Sequence, residues 1–305
     1  MRLHAKTLHY FDSIRRCGSI REAARQLHVA SSAVNRQLLE LEDQLGTPLF
    51  DRLPGGLRLT AAGEIVARHV ISVLQDARRV EGELEALRGI RRGEVTVAAV
   101  EGVTSDLLPA VLLQMHQRYP GVRVETRSMG SVAMTAAVAR GEADVALGYS
   151  LPPDPQLQCL ASGRFGIGAV LRPDHPLAGS APLAFKDCLP YPLILADPEL
   201  SLHSLMAPLF QRYQGQMEVL TTTNSIELMK RLAERGLGIA FQTCIGLERE
   251  LAEGRLCHRL LSDRQLASSD LGAYVRTGRS LPPALDAFIR TVGEELGKRG
   301  NPPGA

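Results

Sequence analysis

Ser31, Ser32, Asn35 and Arg36 fall within six positions, at a spacing that gathers them near one end of a helix. Their chemistry is hydrogen-bond readout. Asn can pair bidentately with adenine in a major groove, and Arg can reach guanine or a phosphate. No bulky apolar group stands between them. Glu40, Glu42 and Asp43, farther along, would repel phosphate, so the first turn rather than the whole helix is expected to enter the groove. Arg52 and Arg58 flank Pro54-Gly55-Gly56 and suit backbone or minor-groove contact. A three-helix cap with a solvated polar face is the competing reading of these residues.

A second set of polar positions follows apolar runs that read as strands. These are Gly102–Ser105, Met129–Val132, Ser201–Ser204, Thr222–Ser225 and Phe241–Cys244, with Thr104, Ser105, Gly130, Ser131, Val132, Ser201, Thr223, Asn224 and Phe241 as the expected ligand contacts. Ligands of α/β sheets sit beyond the carboxyl ends of strands, near helix N-termini, where free N–H groups and the helix dipole favour an anion. A small anionic ligand is therefore expected there. Each Ser or Thr could equally be no more than a helix cap.

No constellation supports catalysis, a cofactor or a metal. Gly236-Leu237-Gly238 lacks dinucleotide spacing and precedes a strand rather than following one. G-x-S-x-G, H-E-x-x-H and a phosphate loop are absent, and His203 beside Ser201 and Ser204 is only a fragment of a triad. Cysteines 17, 159, 188, 244 and 257 are scattered, with no C-x-x-C. Reduced thiols are expected, and Cys159 and Cys188 read as structural rather than redox-active.

Residues 3–16 read as a first helix with Leu3, Leu8, Phe11 and Ile14 along one face, ended by Gly18. Ser19-Ile20-Arg21-Glu22 fits a capping box for a second helix to about Leu27. After a short turn, Ser31 or Ser32 can cap a third, whose Val34, Leu38, Leu41 and Leu45 form a buried stripe. Two short strands around Pro54-Gly55-Gly56 then make a hairpin, a wing beside a recognition helix.

Thr60 can cap a long helix to about Leu87. Val66, Val70, Val73, Ala77, Val80, Leu84 and Leu87 recur at heptad spacing and predict a dimerisation seam. Two recognition helices would then face a two-fold symmetric site. Glycines 89 and 93 frame an expected hinge.

From Glu94 onward strand and helix patterns alternate, implying parallel sheets covered on both faces. The expected division is a DNA-binding head at 1–60, a linker helix and hinge at 61–92, and a two-lobed α/β body at 93–300. Its first lobe takes about 93–162 and 268–298, its second about 163–267. The 305 residues, 45% hydrophobic and 22% charged, suit two or three globular domains. The net charge of +2 hides an asymmetry: residues 1–60 hold nine Arg or Lys against six Asp or Glu, whereas 93–305 hold 20 against 22. A basic head on a slightly acidic body fits a polyanion partner. The sequence has no membrane-length apolar run and no signal-peptide pattern, so a cytoplasmic location is expected.

The run Ala33-Val34-Asn35-Arg36-Gln37-Leu38, with Leu41-Glu42, Leu45-Gly46-Thr47-Pro48-Leu49-Phe50 and Leu59-Thr60-Ala61-Ala62-Gly63, resembles the signature of LysR-type transcriptional regulators. In the body, Leu108-Pro109, Tyr119-Pro120, Gly141-Glu142-Ala143-Asp144-Val145-Ala146 and Gly236-Leu237-Gly238-Ile239 also resemble landmarks of that family. The resemblance implies an α-rich winged helix-turn-helix, a linker helix and a periplasmic-binding-protein-like α/β effector domain. It implies double-stranded DNA and a small effector as partners, dimers that often pair into tetramers, and possible contact with RNA polymerase. Many members have Ser-Gln-Pro-Ala-Val-Ser where this chain has Ala30-Ser31-Ser32-Ala33-Val34-Asn35, which shifts the expected base preference. A solute receptor with the same body is the alternative, and the 92-residue head counts against it.

Overall fold

The computed structural model describes residues 6–87 (85–87 by backbone alone), 92–179, 183–263, 266, 269–278 and 280–300. Within them the chain forms two compact units, a head and a body.

The head comprises α1 (Lys6–Cys17), α2 (Ile20–Leu27), α3 (Ser31–Leu45), the hairpin β1 (Phe50–Leu53) and β2 (Gly56–Leu59), and the long α4 (Ala61–Leu87). Its core is Phe11, Ile14, Val34, Leu38, Leu49 and Phe50, with the Phe11 and Phe50 rings 5.3 Å apart. Burying each such side chain is worth about 1.5–3 kcal/mol, enough to set three helices around one centre. Ser19 caps α2 as expected, its hydroxyl accepting the Glu22 N–H at 3.5 Å, but Glu22 turns outward to pair with Arg25 at 2.6 Å instead of completing the box. Ala30, not Ser31 or Ser32, is the N-cap of α3. Leu45, the last residue of the expected stripe, is exposed because α3 outruns the core.

The hairpin is pinned by backbone. The Leu57 N–H donates to the Gly18 carbonyl at 2.7 Å, and a Cβ on Gly56 (φ 127°) would lie 2.6 Å from that same oxygen. Thr60 donates to the Pro48 carbonyl at 2.8 Å and accepts the Gly63 N–H at 3.0 Å, so one hydroxyl ties the wing to the start of α4. The N-terminal part of the heptad stripe serves the chain's own head. Val70, with Ala67 and Leu74, is buried in the head core, and Val66 packs against it, so Val70 offers nothing to a second copy. Val73, Ala77 and Val80 are half-buried and Leu84 is exposed. The side chain of Leu87, the expected hinge residues 88–91, Leu3 and the tail from 301 lie outside the described residues.

The body has two five-stranded sheets. Lobe I has the order β4-β3-β5-β12-β6, from β3 (Arg92–Ala99), β4 (Gly121–Ser128), β5 (Val145–Tyr149), β6 (Leu157–Phe165) and β12 (Ser269–Arg276). Its helices are α5 (Leu107–Arg118), α6 (Ser131–Ala139) and α11 (Pro283–Arg299). Lobe II has the order β11-β7-β10-β8-β9, from β7 (Gly168–Leu171), β8 (Leu193–Ala196), β9 (Val219–Thr223), β10 (Ile239–Gln242) and β11 (Cys257–Leu260). Its helices are α7 (Phe185–Cys188), α8 (Ser201–Arg212), α9 (Ile226–Glu234) and α10 (Glu248–Ala252). Gly93 lies inside β3 rather than in a hinge. The sheets are mixed, not purely parallel: β12 runs antiparallel to β5 and β6, and β7 to β10 and β11. The sequence pattern gave no sign of β6, which carries the first sheet past the expected boundary at 162.

Candidate DNA interface and effector cavity

The first turn of α3 presents polar side chains to solvent. Because Ala30 contributes no side-chain cap, the hydroxyls of Ser31 and Ser32 are not spent on the helix end, and both residues are exposed. The first backbone N–H groups of a helix have no intrahelical partner and attract phosphate. Asn35 lies one turn on, half-buried, and Arg36 is exposed, with only a loose 3.7 Å pairing to Glu40. Val34 and Leu38 anchor the opposite face.

On the wing, Asp51 stands opposite Arg58, and Arg52 opposite Leu57. Alternation along a strand then puts Arg52 and Arg58 on opposite faces of the hairpin, both exposed. Glu42 has a role that its charge did not suggest. Its Oε1 accepts the backbone N–H of Leu49 at 2.7 Å and of Phe50 at 3.3 Å, holding the start of the wing against α3.

In the body, a cavity of about 340 Å³ opens between the two lobes. Of the expected ligand positions, Gly130, Ser131, Ser201 and Asn224 line it. Thr104 and Ser105 face a separate hollow of about 300 Å³, because the turn after β3 carries them past the cleft. Val132 points to solvent, and Phe241 is taken into the lobe II core beside Phe185, their rings 5.2 Å apart. Thr223 is outside the lining; its hydroxyl accepts the Ser225 N–H at 3.1 Å.

Gln242 and Thr243, from the expected segment Phe241–Cys244, line the cavity too, and Tyr149 and Ser269 join them from outside the expected segments. Tyr149 of lobe I hydrogen-bonds Thr243 of lobe II at 2.6 Å, and burial pushes its phenol well above the ordinary range. The Ser131 hydroxyl, the Ser269 hydroxyl and Gln242 Oε1 are buried, line the cavity and have no protein partner. Gln242 Nε2 is used, donating to the Ile245 carbonyl at 3.5 Å. Buried polar atoms of this kind are seldom left unpaired, so three converging on one cavity mark it as a ligand seat.

Glu101, in the turn after β3, reaches across to α9. Its carboxylate accepts the Ile226 N–H at 2.7 Å, the Glu227 N–H at 3.4 Å and the Ser225 hydroxyl at 3.0 Å. Ser225 in turn caps the Leu228 N–H at 3.2 Å. The helix N-terminus that the sequence reading left for an anionic ligand therefore already holds an anion of the chain's own.

The thiols form no redox pair: all five cysteines are free. The reading of Cys159 and Cys188 as buried structural thiols holds for Cys188 only, since Cys159 is exposed; desolvation pushes Cys188 up to about 12 and raises Cys159, Cys244 and Cys257, which leaves them poor nucleophiles. Among the described residues there is no cluster of metal-binding side chains, and no helix is long and apolar enough to cross a membrane.

A winged helix-turn-helix, followed in the chain by two α/β lobes around a polar cavity, defines a ligand-responsive DNA-binding protein. Comparison with known proteins makes the class specific. Residues 5–64 match the bacterial regulatory helix-turn-helix protein, lysR family, and residues 88–297 match the LysR substrate binding domain. The chain belongs to the LysR family of transcriptional regulators, with a DNA-binding head and an effector-binding body. Members of this family are regulators rather than enzymes; they bind DNA and small-molecule effectors and form oligomers. The chain is similar to the RuBisCO operon transcriptional regulator of Allochromatium vinosum, 25% identical over 98% of each chain. It is also similar to the HTH-type transcriptional regulator BbuR of Bordetella bronchiseptica, 24% identical over 98% of this chain and 94% of the other. In fold it resembles a full-length OxyR variant from Pseudomonas aeruginosa (TM-score 0.72, 18% identity, 94% and 96% of the two chains). HinK from Pseudomonas aeruginosa is a further neighbour (TM-score 0.58, 24% identity, 97% and 99%).

Proposed function

We propose that the chain acts in the cytoplasm as a homodimer, pairing further into tetramers, and reads its operator with the first turn of α3. Ser31, Ser32, Asn35 and Arg36 meet base edges and nearby phosphates, while Arg52 and Arg58 grip the flanking backbone. The observation that carries this reading is the uncapped, polar first turn of α3 beside a hairpin pinned by Glu42 and Gly18. The C-terminal part of the α4 stripe, half-buried at Val73, Ala77 and Val80 and exposed at Leu84, is the part left for a second copy. The effector sits in the cleft cavity and changes the relative placement of the two heads, and with it any contact with RNA polymerase. The protein has no catalytic role and needs no cofactor.

Footprinting the full-length protein on the DNA upstream of its own gene, across a salt series, tests the reading. The expected result is a protected, roughly two-fold symmetric site whose affinity falls steeply with salt. Weak binding that is indifferent to sequence at that site and across a randomised duplex library would overturn it.

A further inference from the structure

We infer that Glu101 sets the charge specificity of the effector: it bars an anionic group from the lobe II end of the cavity and selects a small, donor-rich molecule that is uncharged or cationic there. The inference rests on the cavity's being the effector seat and adds the chemistry of the ligand. Two observations carry it independently.

The first is the occupied helix end. Lobe II turns the N-termini of both α8 and α9 toward the cleft; the Glu101 carboxylate fills that of α9 with two backbone N–H bonds and one hydroxyl bond, and Glu199 stands just before that of α8. A ligand carboxylate or phosphate could reach those donors only by expelling Glu101. Beside it, an anion would meet like charge in a partly desolvated space.

The second is the lining itself. Among the described residues it holds two carboxylates, Glu101 and Glu199, and no Lys, Arg or His. Its deepest unpaired atom on the lobe II side is an acceptor, Gln242 Oε1, on a residue 4% exposed. An acceptor left without a partner calls for an N–H or O–H on the ligand. The unpaired hydroxyls of Ser131 and Ser269, on lobe I, can donate or accept and so fit either half of a polar molecule. Effector specificity is then partly exclusion: the wrong charge is refused by a group that belongs to the fold.

The test uses the full-length protein and thermal shift at constant ionic strength. Sulfate is compared with chloride for the native chain and for Glu101→Ala. The native chain should show no saturable stabilisation by sulfate. Glu101→Ala, with the α9 N–H groups and the Ser225 hydroxyl vacated, should gain a saturable sulfate site at least about tenfold tighter. Glu101→Gln keeps an acceptor for the α9 N–H groups and serves if the alanine variant folds poorly; it should tolerate sulfate better than the native chain. A saturable sulfate site in the native chain, or no gain in either variant, would overturn the inference.

Three four-carbon probes then rank ligand chemistry: 1,4-diaminobutane, 1,4-butanediol and succinate. Preference of the native chain for the diamine assigns a cationic donor, and preference for the diol an uncharged one. Stabilisation by succinate equal to or above both would overturn the inference. Ser201→Trp, which fills the cavity, separates the two levels. If it removes the probe effects, the seat is right and any failure belongs to Glu101. If they persist, the seat itself lies elsewhere.

Discussion

The Glu42 carboxylate of the recognition helix accepts the backbone N–H of Leu49 at 2.7 Å, just where the chain turns into the wing. A charge that ought to repel phosphate is thus a structural tie between the two DNA-facing elements. Removing it has two opposed effects: less repulsion of the duplex, and a wing no longer held at a fixed angle. A buried N–H left without its acceptor costs about 1–3 kcal/mol, whereas a half-buried charge more than a turn beyond Arg36 repels the duplex through partly screening solvent. The second effect should win. Glu42→Ala is expected to weaken binding to every duplex, and Glu42→Gln, which keeps an acceptor, to weaken it less. Anisotropy titrations on specific and scrambled DNA would show this; tighter binding by Glu42→Ala would mean that charge alone governs.

The proposed division between base-reading and backbone-gripping residues gives a second expectation. Ser31→Ala and Asn35→Ala should change which bases are preferred while leaving the salt slope intact. Arg52→Ala and Arg58→Ala should weaken binding on all sequences and reduce that slope by about one each. Because the two arginines occupy opposite faces of the hairpin, their losses should be close to additive. Selection from a randomised library, with titrations at several salt concentrations, distinguishes the groups. A uniform loss for all four variants would erase the distinction.

The head and most elements of the body, though not β6, were legible in the sequence because each depends on local chemistry. Apolar spacing at Phe11, Ile14, Val34 and Leu38 predicts helices with one buried face, and Gly18 and Gly46 predict their ends. The heptad of α4 was equally plain, but a pattern says that a stripe will be covered and not by what: Val70 turned out to face its own head. The cavity was legible only by halves. Gly130, Ser131, Ser201 and Asn224 follow from the rule that ligands gather past strand ends. Glu101 has no periodicity to mark it, and its partner Ile226 lies 125 positions away, a pairing that only the assembled lobes create. Gln242 lies within the expected segment Phe241–Cys244, but Ser269 was missed, because it sits in a strand, where a polar side chain looks like ordinary alternation until the fold shows that it points into a cavity.

Gly63 offers a check on the joint between wing and linker helix. A Cβ there would lie 2.0 Å from the Leu49 carbonyl oxygen, a backbone atom that the Glu42 tie and the Thr60 bond to Pro48 keep in place. Ala is ordinarily the better helix former by about 1 kcal/mol, so propensity alone predicts that Gly63→Ala stabilises α4. The clash predicts the reverse, a loss of several kcal/mol or a shifted wing. Denaturant unfolding of the full chain decides between them, and an unchanged or raised midpoint would show that the joint can relax.

Acid should act on the body through two glutamates that touch the same arginine. Arg299 binds Glu295 on its own helix, α11, and Glu248 of lobe II at 3.2 Å. Burial alone would raise the Glu295 carboxyl, but bonds from Lys298, Arg299 and Gln114 outweigh it and hold the group at about 2. Its folded pKa is below the unfolded value of about 4.3, so the stability it contributes is present above that value and lost as pH falls from there toward 2. Glu248 moves the other way: burial and the neighbouring Asp106 raise it. The folded state then holds a proton that the unfolded state has released, so its contribution falls as pH rises from about 4.3 through the raised value. Stability should therefore rise as pH falls through the raised Glu248 value toward about 4.3, and drop as pH falls further toward the Glu295 value of about 2. Glu295→Gln should be less stable than the native chain at pH 7, by on the order of 2 kcal/mol, and the gap should close as pH approaches 2. Glu248→Gln should remove the modest rise and leave the acid drop in place. Urea midpoints for the three proteins from pH 3 to 7 carry the test. A gap for Glu295→Gln that stays constant across that range would show that its hydrogen bonds do not depend on the charge of the carboxylate.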